Sequence, residues 1–178
     1  MKIIETNLVD AYIITNNVYV DERGSFIETF NCNEFKSQIK DCGPFVQDNH
    51  SISRKGVLRG LHYQIKHPQG KLVRCIAGEI FDVIVDLRQS SKTFGKWFGV
   101  KLNRPNLQLW VPAGFGHGFY TLSDTAEITY KVDDYYYPEY DRTLLWNSLN
   151  IVWGNDKPPI LSPKDLIGKS FEDCEKYE

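Results

Sequence analysis

Alternation of apolar and polar residues with period two runs through most of this 178-residue chain in short stretches, and it leaves room for few helices. Residues 25–30, 45–51, 57–64, 71–77, 80–87, 97–102, 107–111, 115–122, 126–132 and 143–146 all read as strands. Turn signals separate them, among them His67-Pro68-Gln69-Gly70, Ala77-Gly78-Glu79, Asn103-Arg104-Pro105-Asn106 and Ser123-Asp124. Many short strands at this spacing predict a mainly β fold, an antiparallel sandwich or barrel, and not βαβ units. Two helix starts stand out. One lies over residues 31–40, with Asn31 as N-cap and Glu34 three residues on. The other is the capping-box pattern Ser162-Pro163-Lys164-Asp165. The length and the lack of a linker or repeat predict one domain over residues 1–178, with an acidic end, 169–178, expected to fray.

Charge excludes a polyanion as partner. The net charge of -2 comes entirely from the last ten residues, so residues 1–168 balance and present no global basic field to nucleic acid or an anionic membrane. The balance breaks locally between Asn49 and Gly78, which contain no Asp or Glu but carry Arg54, Lys55, Arg59, Lys66, Lys71 and Arg74, together with His50, His62 and His67. Residues 1–17 lack a signal-peptide core, and no apolar run approaches the roughly 20 residues of a membrane span. Cys32, Cys42, Cys75 and Cys174 form no CxxC pair, so reduced thiols and a cytoplasmic location are expected.

No phosphate-binding glycine motif, GxSxG elbow or HExxH is present. Gly114-Phe115-Gly116-His117-Gly118 precedes a strand pattern, so it suits tight backbone packing rather than a helix N-terminus. Alternation groups His62 with Gly60 and Gln64, and Arg59 with Leu61 and Tyr63 on the other face. His62 is open to three readings: a hydrogen-bonded strand histidine, a proton acceptor, or a metal ligand. Cupin metal sites use HxH and a nearby Glu, then PxGxxH. Pro112 to His117 fits the second half, but Gln64 stands in the place of the second histidine. Lys71 shares a strand face with Val73 and Cys75, where an ammonium is costly unless it snorkels or meets a negative charge. Tyr130 lies on the apolar face of Ala126-Ile128-Tyr130-Val132. Asp165 is the acidic member of its capping box and has a second oxygen with which to orient a histidine.

The order Asp21-Glu22-Arg23-Gly24, Gln47-Asp48-Asn49-His50, Val57-Leu58-Arg59-Gly60-Leu61-His62, Gln69-Gly70-Lys71-Leu72-Val73-Arg74 and Val111 to Phe119 resembles the dTDP-4-dehydrorhamnose 3,5-epimerase family. The likeness continues through Tyr130-Lys131, Tyr135-Tyr136 and Trp146-Asn147 to Leu161-Ser162-Pro163-Lys164-Asp165, nearly the whole chain. It implies a cupin-type jelly roll that needs no metal and no organic cofactor. It also implies a homodimer in which an N-terminal strand crosses to the partner. The implied substrate is a dTDP-linked 4-keto-6-deoxy sugar, inverted at C3 and C5. The resemblance implies His62 as proton acceptor, Asp165 as its carboxylate, Tyr130 as proton donor and Lys71 beside the keto group. Arg23, Arg59 and His117 fall at substrate-binding positions, mainly around the diphosphate. Phe26, Glu28, Gln47 and Asn49 fall on the thymidine side, Asp48 among the substrate-binding positions, Tyr136 where a ring stacks on the substrate, and Asp141 and Lys164 at further contacts. Asp141-Arg142 stands where the family has Glu-Gly, Tyr19 where it usually has phenylalanine, and Gly116 where it has alanine.

The implied chemistry suits these residue types. A ketone at C4 acidifies the protons on both C3 and C5, and inversion requires a base on one face and a separate acid on the other. Three other readings compete: an epimerase or isomerase that acts at a single carbon of such a sugar, a metal-dependent cupin oxygenase, and a binding module without turnover.

Overall fold

Strands that bury one face alternate in sequence; strands that bury both do not, and this chain contains both kinds. The computed structural model describes residues 1–40 and 42–178. Its elements are β1 (Lys2–Glu5), β2 (Tyr12–Thr15), β3 (Tyr19–Asp21), β4 (Gly24–Phe26), α1 (Cys32–Gln38), β5 (Gln47–Arg54), β6 (Leu58–Gln64), β7 (Lys71–Ala77), β8 (Ile80–Asp86), β9 (Trp97–Leu102), β10 (Leu107–Val111), β11 (Phe115–Thr121), β12 (Thr125–Val132), β13 (Asp141–Thr143) and α2 (Pro163–Leu166). They build two antiparallel sheets, β1-β2-β10-β7-β12-β5 and β13-β6-β11-β8-β9, with β3 and β4 as a separate hairpin. The fold is therefore mainly β with few short helices, as the alternation predicts.

The sheets pack inward face to inward face over one apolar cluster, in which Val73, Cys75, Leu109 and Ile128 of the six-stranded sheet meet Ile80, Ile84 and Phe119 of the five-stranded one. Each sheet is also covered outside. The outer face of the six-stranded sheet, with Ile14, Leu72 and Trp110, lies under Phe35 and Ile39. Asn31 starts the α1 helix as its N-cap, its side chain accepting from the amides of Asn33 and Glu34, and Phe35 then meets the Trp110 ring edge-on at 5.3 Å between centroids. The outer face of the five-stranded sheet, with Leu61, Val83 and Val85, lies under Leu144, Trp153 and Cys174.

Three strands escaped the sequence reading. β1 and β2 carry adjacent isoleucines, Ile3-Ile4 and Ile13-Ile14, and Ile13 and Ile14 pack on opposite sides of their sheet. In β2, cover on both sides erases the period-two signal, whereas in the edge strand β1 Ile3 packs with the outer layer and Ile4 stays exposed. β3 was missed because it pairs only with β4 in an exposed hairpin, which is also all that forms of the strand expected over 25–30.

The acidic end does not fray, which corrects the expectation for residues 169–178. Lys169 bridges to Leu144 and Tyr177 to Arg88, the Tyr177 amide donates to the Leu87 carbonyl, and Cys174 is buried. The Tyr63 hydroxyl donates to the Glu175 carbonyl at 2.7 Å, and the Tyr177 hydroxyl donates to the Gln64 carbonyl. Buried side chains outweigh the acidic character that suggested a solvated tail. Truncation after Gly168 should therefore cost about 3 kcal/mol or more, lowering Tm by roughly 6–12 °C. A melt unchanged from the full-length chain would show that the docked tail contributes nothing.

Candidate active site

Between the sheets, beside the apolar cluster, lies a cavity of about 580 Å³, within the usual range for a small-molecule site. Its walls come from inward-facing positions of facing sheets. β5 supplies Gln47 and Asn49, β7 supplies Lys71 and β12 supplies Tyr130; from the other sheet β6 supplies Arg59 and His62, and β11 supplies His117. Tyr136, Asp141, Lys164 and Asp165 complete it from the loop before β13, β13 itself and α2.

Arg59 and His62 share this cavity although plain alternation sets them on opposite faces. The difference is a bulge. His62 pairs with His117 and Arg59 with Phe119, so three residues on β6 span two on β11. Gly60 makes it possible: its φ is +119°, and a Cβ there would lie 2.6 Å from the Gly118 Cα. The glycines around His117 thus serve close backbone approach, as their position before a strand suggests.

α2 delivers the carboxylate. Ser162 caps it, its Oγ accepting from the Asp165 amide at 3.2 Å and donating to Asp165 Oδ2 at 2.6 Å. Oδ1 is left for His62, whose Nε2 lies 2.5 Å away. Burial of Asp165 pushes its carboxyl up, but the hydrogen bonds from His62 and Ser162 outweigh this and hold it below the usual range. Burial lowers the imidazole pKa of His62 further than Asp165 raises it, with Lys164 adding to the fall. The result at neutral pH is an uncharged ring that donates Nε2–H to an ionised carboxylate and keeps its lone pair on Nδ1.

Lys71 does not snorkel: it is buried, its Nζ 3.4 Å from the His62 carbonyl. Burial brings its ammonium down to about 8, against the pull of Asp141 and Asp82. Burial raises the Tyr130 phenol, so it stays protonated at neutral pH, although the Arg59 charge opposes the shift. A neutral base therefore projects from one sheet and a protonated acid from the facing sheet, with a cation beside the base. Such a cavity can take a proton from one side of a bound molecule and return one to the other.

At the mouth, the Tyr136 hydroxyl donates to Asp141 Oδ2 at 2.9 Å, and Lys164 pairs with the same oxygen. Asp141 thus anchors two neighbours at the mouth. His117 pairs through Nε2 with Asp82 Oδ1 at 2.7 Å. Asp82 escaped the sequence reading; the available signal was an acid at an inward position of a mostly apolar strand, between Ile80 and Ile84.

Four expected residues lie outside. Asp48 is corrected by alternation: Gln47 and Asn49 line the cavity, whereas Asp48 faces the other way and pairs with Lys131. Arg23, Phe26 and Glu28 lie in or just after the exposed β3–β4 hairpin, and none lines this chain's cavity. Arg23 pairs with Asp21 in the hairpin turn. Of the basic window only Arg59 and Lys71 line the cavity. The oxygenase reading loses its ligands. Gln64 donates to the His67 and Tyr135 carbonyls and accepts from the Tyr137 amide, and among the described residues no three His, Cys, Asp or Glu side chains gather as a metal site.

These shifts predict a bell-shaped pH dependence of kcat/KM. Activity should rise as His62 loses its proton below its ordinary 6.5, and fall as Lys71 loses its own near 8. Lys71→Arg should remove the falling limb, while Lys71→Gln should cost about 10²–10³-fold in kcat. A falling limb unmoved in the arginine variant would assign it to another group.

The sequence model of dTDP-4-dehydrorhamnose 3,5-epimerase matches residues 5–173. The dTDP-4-dehydrorhamnose 3,5-epimerase of Shigella flexneri is 50% identical over 181 residues, which cover 99% of each chain. That of Neisseria gonorrhoeae is 52% identical over 179 residues; the match covers 99% of this chain, which spans about half (54%) of that relative's length. The crystal structure of dTDP-6-deoxy-D-glucose-3,5-epimerase from Legionella pneumophila, in complex with dTDP-4-keto-L-rhamnose, superposes with a TM-score of 0.94 at 45% identity, covering 98% of this chain and 94% of that one. With fold and sequence matched over essentially its full length, the chain belongs to the dTDP-4-dehydrorhamnose 3,5-epimerase family.

Proposed function

We propose that this chain epimerises dTDP-4-dehydro-6-deoxy-D-glucose at C3 and C5, giving dTDP-4-dehydro-L-rhamnose. The observation that carries this reading is the pairing of a neutral His62, held by Asp165, with a protonated Tyr130 on the opposite wall. His62 takes the C3 or C5 proton and becomes an imidazolium stabilised by Asp165. The electron pair moves onto the C4 oxygen, where the Lys71 ammonium meets the developing charge, and Tyr130 returns a proton from the other face. One ketone serves both carbons, so one site suffices if the sugar ring reorients between steps. Arg59 and His117 hold the diphosphate, with Lys164 nearby, and Gln47 and Asn49 face the thymidine.

Turnover in deuterated water tests the reaction. Deuterium at both C3 and C5 is expected; deuterium at one carbon selects the single-carbon epimerase, and none at either removes the proposal. His62→Ala should lower exchange by roughly 10²–10⁴-fold or more while leaving dTDP binding largely intact.

The active unit in this reading is a homodimer in the cytoplasm. Supporting the location, Cys75 and Cys174 are buried as free thiols. Supporting the dimer, Tyr19, Val20 and Phe26 on the hairpin are exposed, and Arg23 beside them has no place in its own chain's cavity. Crossing to a second copy would bury those side chains and bring Arg23 and Phe26 to the partner's cavity. Arg23→Ala and His62→Ala, each inactive alone, should then restore activity when co-expressed, because a mixed dimer holds one site with both wild-type residues. No recovery in isolated mixed dimers would place Arg23 and His62 in the same chain's site.

A further inference from the structure

The cavity contains a second histidine–carboxylate pair, and its carboxylate is unusually poorly supported. Asp82 and Asp86 lie on the inward face of the same strand, β8, and neither is exposed to solvent. Asp86 is a structural carboxylate: Arg88, Ser91 and Thr93 all donate to it. Asp82 has one hydrogen bond, from His117 to Oδ1 at 2.7 Å, while its buried Oδ2 has no hydrogen-bond partner among the described residues. Burying a carboxylate with a single partner costs stability, and an apolar side chain would pack beside Ile80 and Ile84 without that cost. The fold therefore gives no reason for an acid at this position.

The cavity does. His117 stands directly opposite His62 on β6 and opposite Ile84 on β8, with Asp82 at the next inward-facing position along β8. Asp82 does not line the cavity; His117 lies between them. By accepting from Nε2, Asp82 fixes the plane of the ring and leaves Nδ1 as the ring nitrogen available to a ligand. The other charged groups around this point are Lys71, whose ammonium Asp82 and Asp141 both favour, together with Arg59 and the His62–Asp165 pair.

We propose that Asp82 is a positioning residue that acts through His117, holding its Nδ1 toward the diphosphate of the bound nucleotide sugar. This rests on the nucleotide-sugar reading of the cavity and adds to it a residue that touches no ligand.

Three measurements test it together. Nitrogen-15 NMR of the wild-type imidazoles should find His117 protonated on Nε2; a neutral ring protonated on Nδ1 alone would overturn the proposal without any variant. Asp82→Asn keeps the shape and removes the charge. It should weaken dTDP binding and raise KM by about tenfold and, because Asp82 also favours the Lys71 ammonium, move the alkaline fall of kcat to lower pH. In a double-mutant cycle, adding Asp82→Asn to His117→Ala should change dTDP affinity little beyond His117→Ala alone. Additive losses, or a variant whose melting temperature shifts while its dTDP affinity does not, would make Asp82 a structural group and sink the idea. Failure of the wild type to bind dTDP would count against the nucleotide-sugar reading instead, and the wild-type tautomer would still decide whether Asp82 orients the ring.

Discussion

The backbones of β6 and β11 pass so close at Gly60 and Gly118 that a Cβ on either would fall 2.6 Å from the other strand. The rest of the site depends on that approach. It admits the bulge that turns Arg59 and His62 to the same side, and the Gly60 amide it presents lies 3.4 Å from Asp165 Oδ1. An ordinary ladder would have kept the base in the cavity and sent the guanidinium to the outer face, into the cluster of Leu58, Leu61 and Val83. One unpaired residue thus decides whether cation and base can meet the same molecule.

The same burial that holds the sandwich together sets the protonation states. His62, Lys71 and Tyr130 are each shifted first by removal from water, and each shift favours the uncharged form. For His62 and Tyr130 this is the form that a base and an acid need. For Lys71 it works against the proposed role, since a neutral amine would not stabilise an oxyanion, and two carboxylates, Asp141 and Asp82, favour the ammonium against burial. Polar groups placed so deep cost stability. The apolar layers on the outside of each sheet, one under α1 and one under the C-terminal segment, offset that cost away from the chemistry.

The sequence was most legible where a strand buries one face. β9 and β12 follow the predicted bounds, β5 lies two to three residues beyond its own, and alternation along β5 and β12 puts Gln47, Asn49 and Tyr130 on the inward side. Both helix starts were legible because capping is local chemistry: Asn31 and Ser162 bond to amides two or three residues on. Strand β2, covered on both sides, and the short edge strand β1, with Ile4 exposed, carried no period. The relation of Arg59 to His62 depended on a bulge, and a bulge is a matter between two strands that neither strand's pattern displays. The C-terminal segment looked solvated because its charges are many, yet Cys174 and Tyr177 do the docking. Asp48 was grouped with its neighbours by motif, although alternation alone would have turned it outward. Arg23 and Phe26 lie apart for a different reason: no pattern within one chain can say that a hairpin belongs in another's site.

What separates this cavity from a metal-binding barrel comes down to two side chains. His117 occupies the position where such barrels place a ligand, but its Nε2 is taken by Asp82, so the imidazole is turned toward a carboxylate and not a metal. Gln64 stands where a second histidine would be, and its amide is spent on the backbone: it donates to the Tyr135 carbonyl and accepts from the Tyr137 amide. Those two bonds bracket Tyr136, fixing the loop that carries its ring to the cavity mouth beside Asp141. An amide supplies two donor N–H groups and an acceptor oxygen, so Gln64 donates to the His67 and Tyr135 carbonyls while accepting from Tyr137, whereas a neutral imidazole has one donor and an ionised carboxylate none. Loss of a ligand and gain of a loop anchor are one substitution in physical terms. It leaves His62 free to pair with Asp165, as the proposed base requires.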